Sequence, residues 1–207
     1  MGEFSRGGLT RGNNTALDHD FSHSPEARNH TPCGIVDEDT GDLFINIGSS
    51  FKTSDFIVDS LQLWWGNLSR KEKSSIEEIQ IKMDNGPESS GKRTQFLSRI
   101  VAFADKIGKV IHLVYYPPYH SKYNPIERCW GILELHWNGA LLTTVDVMAK
   151  WMKSMTWKGM HPVVNVSKKI YEKGKSLSKK AMTVIEKRLD RNKILPKYDI
   201  RIIPKHQ

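Results

Sequence analysis

Two carboxylates in this chain are spaced so that they could bind a divalent cation. Asp84 follows residues 77–83, where apolar and polar side chains alternate as in a strand. Glu127 follows a second apolar strand pattern, residues 109–116, and lies at the start of a helical pattern. The carboxyl ends of adjacent parallel strands lie about 5 Å apart at one edge of a sheet, so the two groups could meet there. Because neighbouring carboxylates repel unless a cation lies between them, the pattern indicates Mg²⁺ chemistry such as phosphodiester displacement.

Structural roles are also open for both carboxylates. Asp84 precedes residues 85–87 (Asn-Gly-Pro), and aspartate is common in such turns. Asn124 is a suitable N-cap for the helix that begins at Pro125. Glu127 would then occupy the third helical position, where glutamate commonly bonds the backbone.

The polar loop before that helix offers further candidate contacts. His120 could contact a phosphate or a metal-bound water, or orient Glu127, or simply hydrogen-bond within the loop. Ser121, Lys122 and Asn124 have the side-chain types that contact the phosphates of a nucleic-acid backbone. These four loop residues are the predicted DNA-binding set.

A zinc site is the second metal candidate in the sequence. His19, His23, His30 and Cys33 are of zinc-binding types, and the spacing of the first two occurs in zinc sites. No paired C-x2-C motif completes a finger, so exposed polar histidines are an equally open interpretation.

Composition excludes several classes of protein. The 207 residues are 38% hydrophobic and 9% aromatic, which is enough apolar material for a core and excludes a fully disordered chain. No apolar run reaches the length of about 18 residues that a membrane span requires, and no secretory signal begins the chain. Only two cysteines occur, Cys33 and Cys129, so we expect no disulfide framework and a cytoplasmic location.

The net charge of +8 is concentrated near the C-terminus. From Lys168 onwards there are 13 basic and four acidic residues, a net charge of +9, while the rest of the chain carries −1. We call residues 168–207 the cationic C-terminal segment. Such a segment most often meets a polyanion, although a solvated lysine-rich helix is the alternative.

The order of patterns predicts an α/β fold. A hairpin around residues 37–42 is followed by alternating helix and strand patterns, which favour some parallel pairing. Three regions are expected: an irregular first segment over residues 1–34, a core over 35–140, and a helical, lysine-rich extension over 141–207.

Several multi-residue blocks resemble DDE transposases. Residues 83–88 (MDNGPE) and 117–127 (PPYHSKYNPIE) resemble the second and third acidic motifs of the insertion-sequence and Tc1/mariner-related branch. The upstream blocks GEFSRGG, LDHDF, TPCGIVDEDTGDLF and KTSDFIVDSLQLWW are similar to the Rhodopirellula-type DDE transposase family in particular. The resemblance covers roughly the whole chain and is weakest in the cationic C-terminal segment.

That resemblance implies an RNase H-like core and a specific chemistry. It implies two Mg²⁺ or Mn²⁺ ions, strand cleavage and strand transfer at transposon ends, and DNA (ends and target) as the partner. Asp84 corresponds to the second catalytic acid and Glu127 to the third, and both would be metal ligands. The resemblance also implies a homodimer when active, no membrane association, and a bacterial, nucleoid-associated location.

The first catalytic aspartate of the family has no counterpart in this sequence. In the family it lies on the first strand, just upstream of the position of Met1, so an N-terminally truncated, weakly active or inactive copy is expected. Asp18, Asp20, Asp55 and Asp59 are the available substitutes. A non-catalytic DNA-binding remnant and an RNase H-like nuclease are the alternative functions.

Overall fold

The computed structural model describes residues 30–117, 120 and 123–205. The strands are β1 (Thr31–Val36), β2 (Leu43–Gly48), β3 (Glu78–Met83), β4 (Val110–Tyr115), β5 (Val163–Ser167), β6 (Leu189–Arg191) and β7 (Asp199–Ile202). The helices are α1 (Ser54–Asn67), α2 (Arg70–Ser75), α3 (Thr94–Ile107), α4 (Pro125–His136), α5 (Val145–Ser154) and α6 (Lys179–Glu186). The strands form two mixed sheets, which confirms the predicted α/β class.

The described residues divide into two compact units. Unit 1 contains residues 30–51 and 125–170, and unit 2 contains the described residues of 52–124 and 171–205. No described helix is both long enough and apolar enough to cross a lipid bilayer.

Unit 1 is built on a hairpin that the sequence predicts. β1 and β2 pair antiparallel, and the carboxylate of Asp37 accepts hydrogen bonds from the backbone N–H groups of Asp39 and Thr40 at 2.9 and 3.1 Å. This turn chemistry fixes the register of the hairpin. β5 then adds to β2 in parallel, giving the order β1-β2-β5.

The core of unit 1 lies between this sheet and two amphipathic helices. Its most buried side chains come from β2, α4, α5 and the segments that follow the two helices: Ile45, Ile47, Cys129, Leu133, Trp137, Met148, Met152 and Met155. A polar pair crosses the sheet, where the side-chain amide of the half-buried Asn165 donates to the buried Asn46 at 2.7 Å. The bond gives the Asn46 carbonyl a partner and favours the parallel register of β5 on β2, in which the two residues are opposite each other.

Unit 2 contains the sheet that carries Asp84. Its strand order is β3-β4-β7-β6, with β3 and β4 parallel and the other neighbours antiparallel. α3 packs against both β4 and α1, and its buried face is the one that the apolar period predicts: Leu97, Ile100, Val101 and Ala104. The helix ends at Gly108, whose left-handed φ of 66° suits a residue without a Cβ.

Two regional expectations differ from the structure. Residues 31–34, expected to be irregular, lie in β1, because pairing with β2 supplies their hydrogen bonds; residues 1–29 lie outside the described part. Residues 141–207, expected to be helical, contain β5, β6 and β7 as well as α5 and α6. β5 and β7 pair with strands distant in sequence, β2 and β4, and β6 pairs with β7, so local helix propensity is overridden by tertiary pairing.

Candidate active site

Asp84 lies directly beyond the last paired residue of a parallel strand. Met83 at the end of β3 is in register with Tyr115 at the end of β4, and the Tyr116 N–H donates to the Met83 carbonyl at 3.0 Å. Asp84 is exposed. Its carboxylate is therefore available to solvent at the carboxyl end of the sheet, the edge at which ligands bind in open α/β sheets.

Hydrogen bonds hold the loop that follows, residues 84–92, which we call the Asp84 loop. The side chain of Asn85 accepts from the Gly91 N–H at 3.3 Å, which closes the loop on itself. The buried hydroxyl of Ser54 on α1 donates to the Glu88 carbonyl at 2.7 Å. Since these bonds reach the loop from within and from a packed helix, Asp84 leaves the sheet from an ordered backbone.

Tyr115 supplies the most buried of these contacts. Its side chain is only 4% exposed, and its hydroxyl donates to the Ser89 carbonyl at 2.7 Å. Burial raises the pKa of Tyr115, so the hydroxyl keeps its proton and remains a donor at all physiological pH values. β4 thus holds both β3, through the sheet, and the loop that extends from it.

Replacing Tyr115 with Phe is expected to lower the free energy of unfolding by about 1–2 kcal/mol, because the Ser89 carbonyl loses its donor while the ring is kept. Urea unfolding at pH 7 measures this loss. Tyr198→Phe is the matched control in unit 2 and is expected to change stability by less than about 0.5 kcal/mol. Equal losses in the two variants would contradict this role for Tyr115.

Glu127 lies in the first turn of α4 in unit 1, where the positive end of the helix dipole favours a carboxylate. Its side chain is exposed, while Cys129 and Leu133 on the same helix are fully buried. Gly34 allows α4 to lie close to β1: an added Cβ there would be 2.4 Å from Ile126 and 2.7 Å from the Trp130 ring. The close approach of α4 to β1 therefore fixes the helix that carries Glu127.

The predicted DNA-binding loop is described only in part. His120 is exposed and its ring stacks on that of Tyr123, with centroids 5.9 Å apart. Asn124 is 9% exposed and directly precedes α4. Ser121 and Lys122 lie outside the described residues. The exposed His120–Tyr123 stack presents a polar, aromatic surface to solvent.

The two candidate metal ligands belong to different compact units, Asp84 to unit 2 and Glu127 to unit 1. Their approach to a common ion stays a prediction. Both side chains are exposed, and within the described part of the chain neither forms an ion pair. Carboxylate oxygens are the donors that Mg²⁺ and Mn²⁺ prefer, so each of the two side chains is of a type that such an ion binds.

Two alternative acids are committed to structural contacts. Asp55 and Asp59 on α1 both form ion pairs with Arg99 on α3, and Asp59 also accepts from the Tyr171 hydroxyl at 3.0 Å. They join α1 to α3, which is the structural role expected of helix-surface acids. The other two candidates, Asp18 and Asp20, lie outside the described residues.

Only two of the four zinc candidates, His30 and Cys33, lie within the described part. His19 and His23 lie outside it, and Cys33 on β1 is half-buried and forms no disulfide. Among residues 30–117, 120 and 123–205, no three His, Cys, Asp or Glu side chains are grouped so that they could hold a metal.

In the cationic C-terminal segment, arginines and lysines have different roles. Arg188, Arg191 and Arg201 form ion pairs with Asp105, Glu186 and Glu78, respectively. All ten lysines from Lys168 to Lys205 are exposed. The arginines therefore fasten the fold, and the lysines supply the positive field at the surface.

Sequence reasoning missed the groups that hold the Asp84 loop. Tyr115 belongs to an apolar strand pattern and Ser54 to a helix start, so each has a sufficient local explanation. The signal that could have found Tyr115 is its place at the end of β4, in register with the residue before Asp84. Ser54 carries no such signal, because its contact depends on how α1 packs.

Comparison with known protein families identifies the family to which the chain belongs. Residues 1–204 match the family model of the Rhodopirellula transposase DDE domain. Neither a curated protein nor a solved structure matches the chain. The match spans both motifs that carry Asp84 and Glu127. The chain therefore belongs to the Rhodopirellula-type DDE transposase family.

Proposed function

We propose that Asp84 and Glu127 bind divalent metal in a site that cleaves DNA strands and transfers them to a target. The observation that carries this proposal is the placement of Asp84, exposed and directly beyond a parallel strand, on an ordered loop. Glu127 supports it as an exposed acid in the first helical turn after β4. Membership of a DDE transposase family gives these positions their chemical meaning.

The residues of this chain would hold and position the reacting groups. Bound Mg²⁺ or Mn²⁺ would supply charge stabilisation for phosphodiester displacement. Asp84 and Glu127 provide anionic oxygen ligands, and the ordered Asp84 loop keeps the first of them in place. His120, Ser121, Lys122 and Asn124 remain the proposed contacts to backbone phosphates.

An RNase H-like core is the proposed fold of the catalytic part. The antiparallel β1–β2 hairpin and the parallel β3–β4 pair, joined by helices, support it as elements of a mixed α/β core. Low activity of this chain by itself is also part of the proposal. Asp55 and Asp59, two of the possible substitutes for the first catalytic aspartate, are paired with Arg99, which supports this part of the proposal.

A strand-transfer assay with Mn²⁺ on labelled transposon ends tests the role of Glu127. Glu127→Gln removes one anionic metal ligand and is expected to lower product formation by about 100-fold or more. Asp146→Asn is the matched control, since Asp146 is an exposed acid in the first turn of α5 in the same unit. It is expected to leave the rate unchanged.

The same assay separates the alternative functions. Cleaved ends without joined products would indicate a nuclease and contradict strand transfer. Salt-sensitive DNA binding without any metal-dependent product would indicate a non-catalytic DNA-binding protein, which the exposed lysines from Lys168 onwards would also suit. Light scattering of the DNA complex tests the proposed homodimer.

A further inference from the structure

Two lysines far apart in sequence lie side by side in unit 2. Lys92 ends the Asp84 loop and Lys197 lies just before β7; both are exposed. Contact with the Lys197 side chain lowers the pKa of Lys92 below its ordinary value. Like charges normally separate when their side chains are free to move, so the surrounding backbone must keep these two lysines near each other.

Backbone contacts hold the two lysine segments together. An added Cβ on Gly91 would lie 2.2 Å from the Lys197 carbonyl oxygen, so only glycine permits this approach. The Arg191 guanidinium donates to the carbonyls of Gly91 and Pro196, the residues preceding the two lysines, at 2.9 and 2.8 Å. The lysines therefore emerge from adjoining backbone segments that the Arg191 guanidinium bridges.

Two carboxylates on the neighbouring segments are engaged with arginines. Glu186 pairs with Arg191, and Glu88 lies 3.9 Å from Arg93. Within the described part of the chain, neither Lys92 nor Lys197 has a carboxylate partner. Two adjacent positive charges are thus left for an anion from outside the protein, and ammonium groups form charge-assisted hydrogen bonds to phosphate oxygens.

The position of the pair indicates which anion this is. Gly91 is bonded to Asn85, the neighbour of Asp84, so Lys92 lies on the same closed loop as the proposed metal ligand, and the backbone of Lys197 lies beside that loop. We propose that Lys92 and Lys197 together bind a backbone phosphate of the DNA strand presented to Asp84. This inference rests on the proposed function and adds to it the contact that positions the strand in unit 2.

The test is DNA binding by the full chain in EDTA, so that catalysis does not contribute. Fluorescence anisotropy with a labelled duplex measures the dissociation constant between 50 and 200 mM KCl. The double variant Lys92→Ala/Lys197→Ala is expected to bind about 10-fold more weakly at 100 mM salt. Its slope of log K against log salt should be shallower by about 1 to 2.

Two further variants make the result specific. Lys71→Ala/Lys150→Ala removes the same charge from exposed positions on α2 and α5, and its slope should change by less than about 0.5. Lys92→Arg/Lys197→Arg keeps both charges and is expected to bind within about 3-fold of the wild-type chain.

Three outcomes would overturn the inference, and they are distinguishable. Equal losses in the two alanine double variants would reject the lysine pair and leave the proposed function standing. Displacement of the duplex by inorganic phosphate at equimolar phosphate groups would identify a general phosphate site. Failure of the wild-type chain to bind the duplex would reject the proposed function itself.

Discussion

Replacing Asp84 with Asn is expected to reduce Mn²⁺-dependent strand cleavage and transfer by about 100-fold or more while leaving the fold intact. The amide keeps the shape of the side chain but loses the negative charge that binds the metal. Because Asp84 is exposed and its loop is held by Asn85, Ser54 and Tyr115, the melting temperature should hardly change. Cleavage of labelled ends and thermal unfolding measure the two effects.

Mn²⁺ binding provides a second readout, which is needed because low activity of the chain alone is expected. Electron paramagnetic resonance of added Mn²⁺ should show weaker binding by Asp84→Asn than by the wild-type chain. Asp190→Asn is the matched control: Asp190 is an exposed acid on β6 of the same unit. Equal metal affinity in all three proteins would contradict the assignment of Asp84.

A double-mutant cycle tests whether Asp84 and Glu127 act on one ion. If both bind it, either substitution alone removes most of the metal-dependent activity, and combining them should add little. If the two carboxylates act independently, their effects should multiply. The cycle therefore tests whether Asp84 of unit 2 and Glu127 of unit 1 bind the same ion.

The positions of both acids could be predicted because local patterns determine them. Alternation over residues 77–83 and the turn sequence after it place Asp84 at a strand end, and β3 ends at Met83. The helical period from Pro125 places Glu127 in a first turn, and α4 begins at Pro125. Thr53 was likewise predictable as a cap, and its hydroxyl accepts from the Phe56 N–H at 3.2 Å. Each of these features depends on residues only a few positions apart.

β5 and β6 could not be predicted in the same way, whereas the apolar end at residues 200–203 indicates the short strand that lies at Asp199–Ile202 (β7). β6 has only three residues, two of them charged, and such a segment suits a helix equally well. β7 pairs with β4, which precedes it by many residues, and β6 pairs in turn with β7; the ion pair of Arg201 with Glu78 adds to the stability of this sheet. The lysine-rich composition therefore favoured a helical prediction for residues that form strands, because partners distant in sequence decide strand formation.

The second large expected effect is on stability and concerns the ion pair of Arg188 with Asp105 in unit 2. Arg188 donates to both carboxylate oxygens of Asp105 on α3, at 3.1 and 2.7 Å, and also to the Ile203 carbonyl at 2.8 Å. The Lys205 N–H donates to the same carboxylate at 2.8 Å. The pair thus joins α3 to the residues before β6 and after β7, and both side chains are half-buried.

Asp105→Asn is expected to lower the free energy of unfolding at pH 7 by about 2–3 kcal/mol, because Arg188 loses a charged bidentate acceptor. The Arg188 hydrogen bond holds the pKa of Asp105 below its ordinary value of 3.8. A carboxyl with a lowered folded-state pKa stabilises the protein above the unfolded-state pKa and loses that contribution as the pH falls through the folded-state value. Urea unfolding should therefore show a difference in the free energy of unfolding between the wild-type chain and Asp105→Asn at pH 7. This difference should become smaller below pH 3.8.

The exposed Asp190 again provides the control for this stability effect, because Asp190→Asn removes the same charge from unit 2 without breaking an ion pair. It should change stability by less than about 0.5 kcal/mol at either pH. If the difference in the free energy of unfolding between the wild-type chain and Asp105→Asn stays constant from pH 7 to pH 3, packing and not the charged pair stabilises this contact. The narrowing with acid is the result that assigns the stabilisation to the ionised carboxylate, since an amide does not titrate in this range.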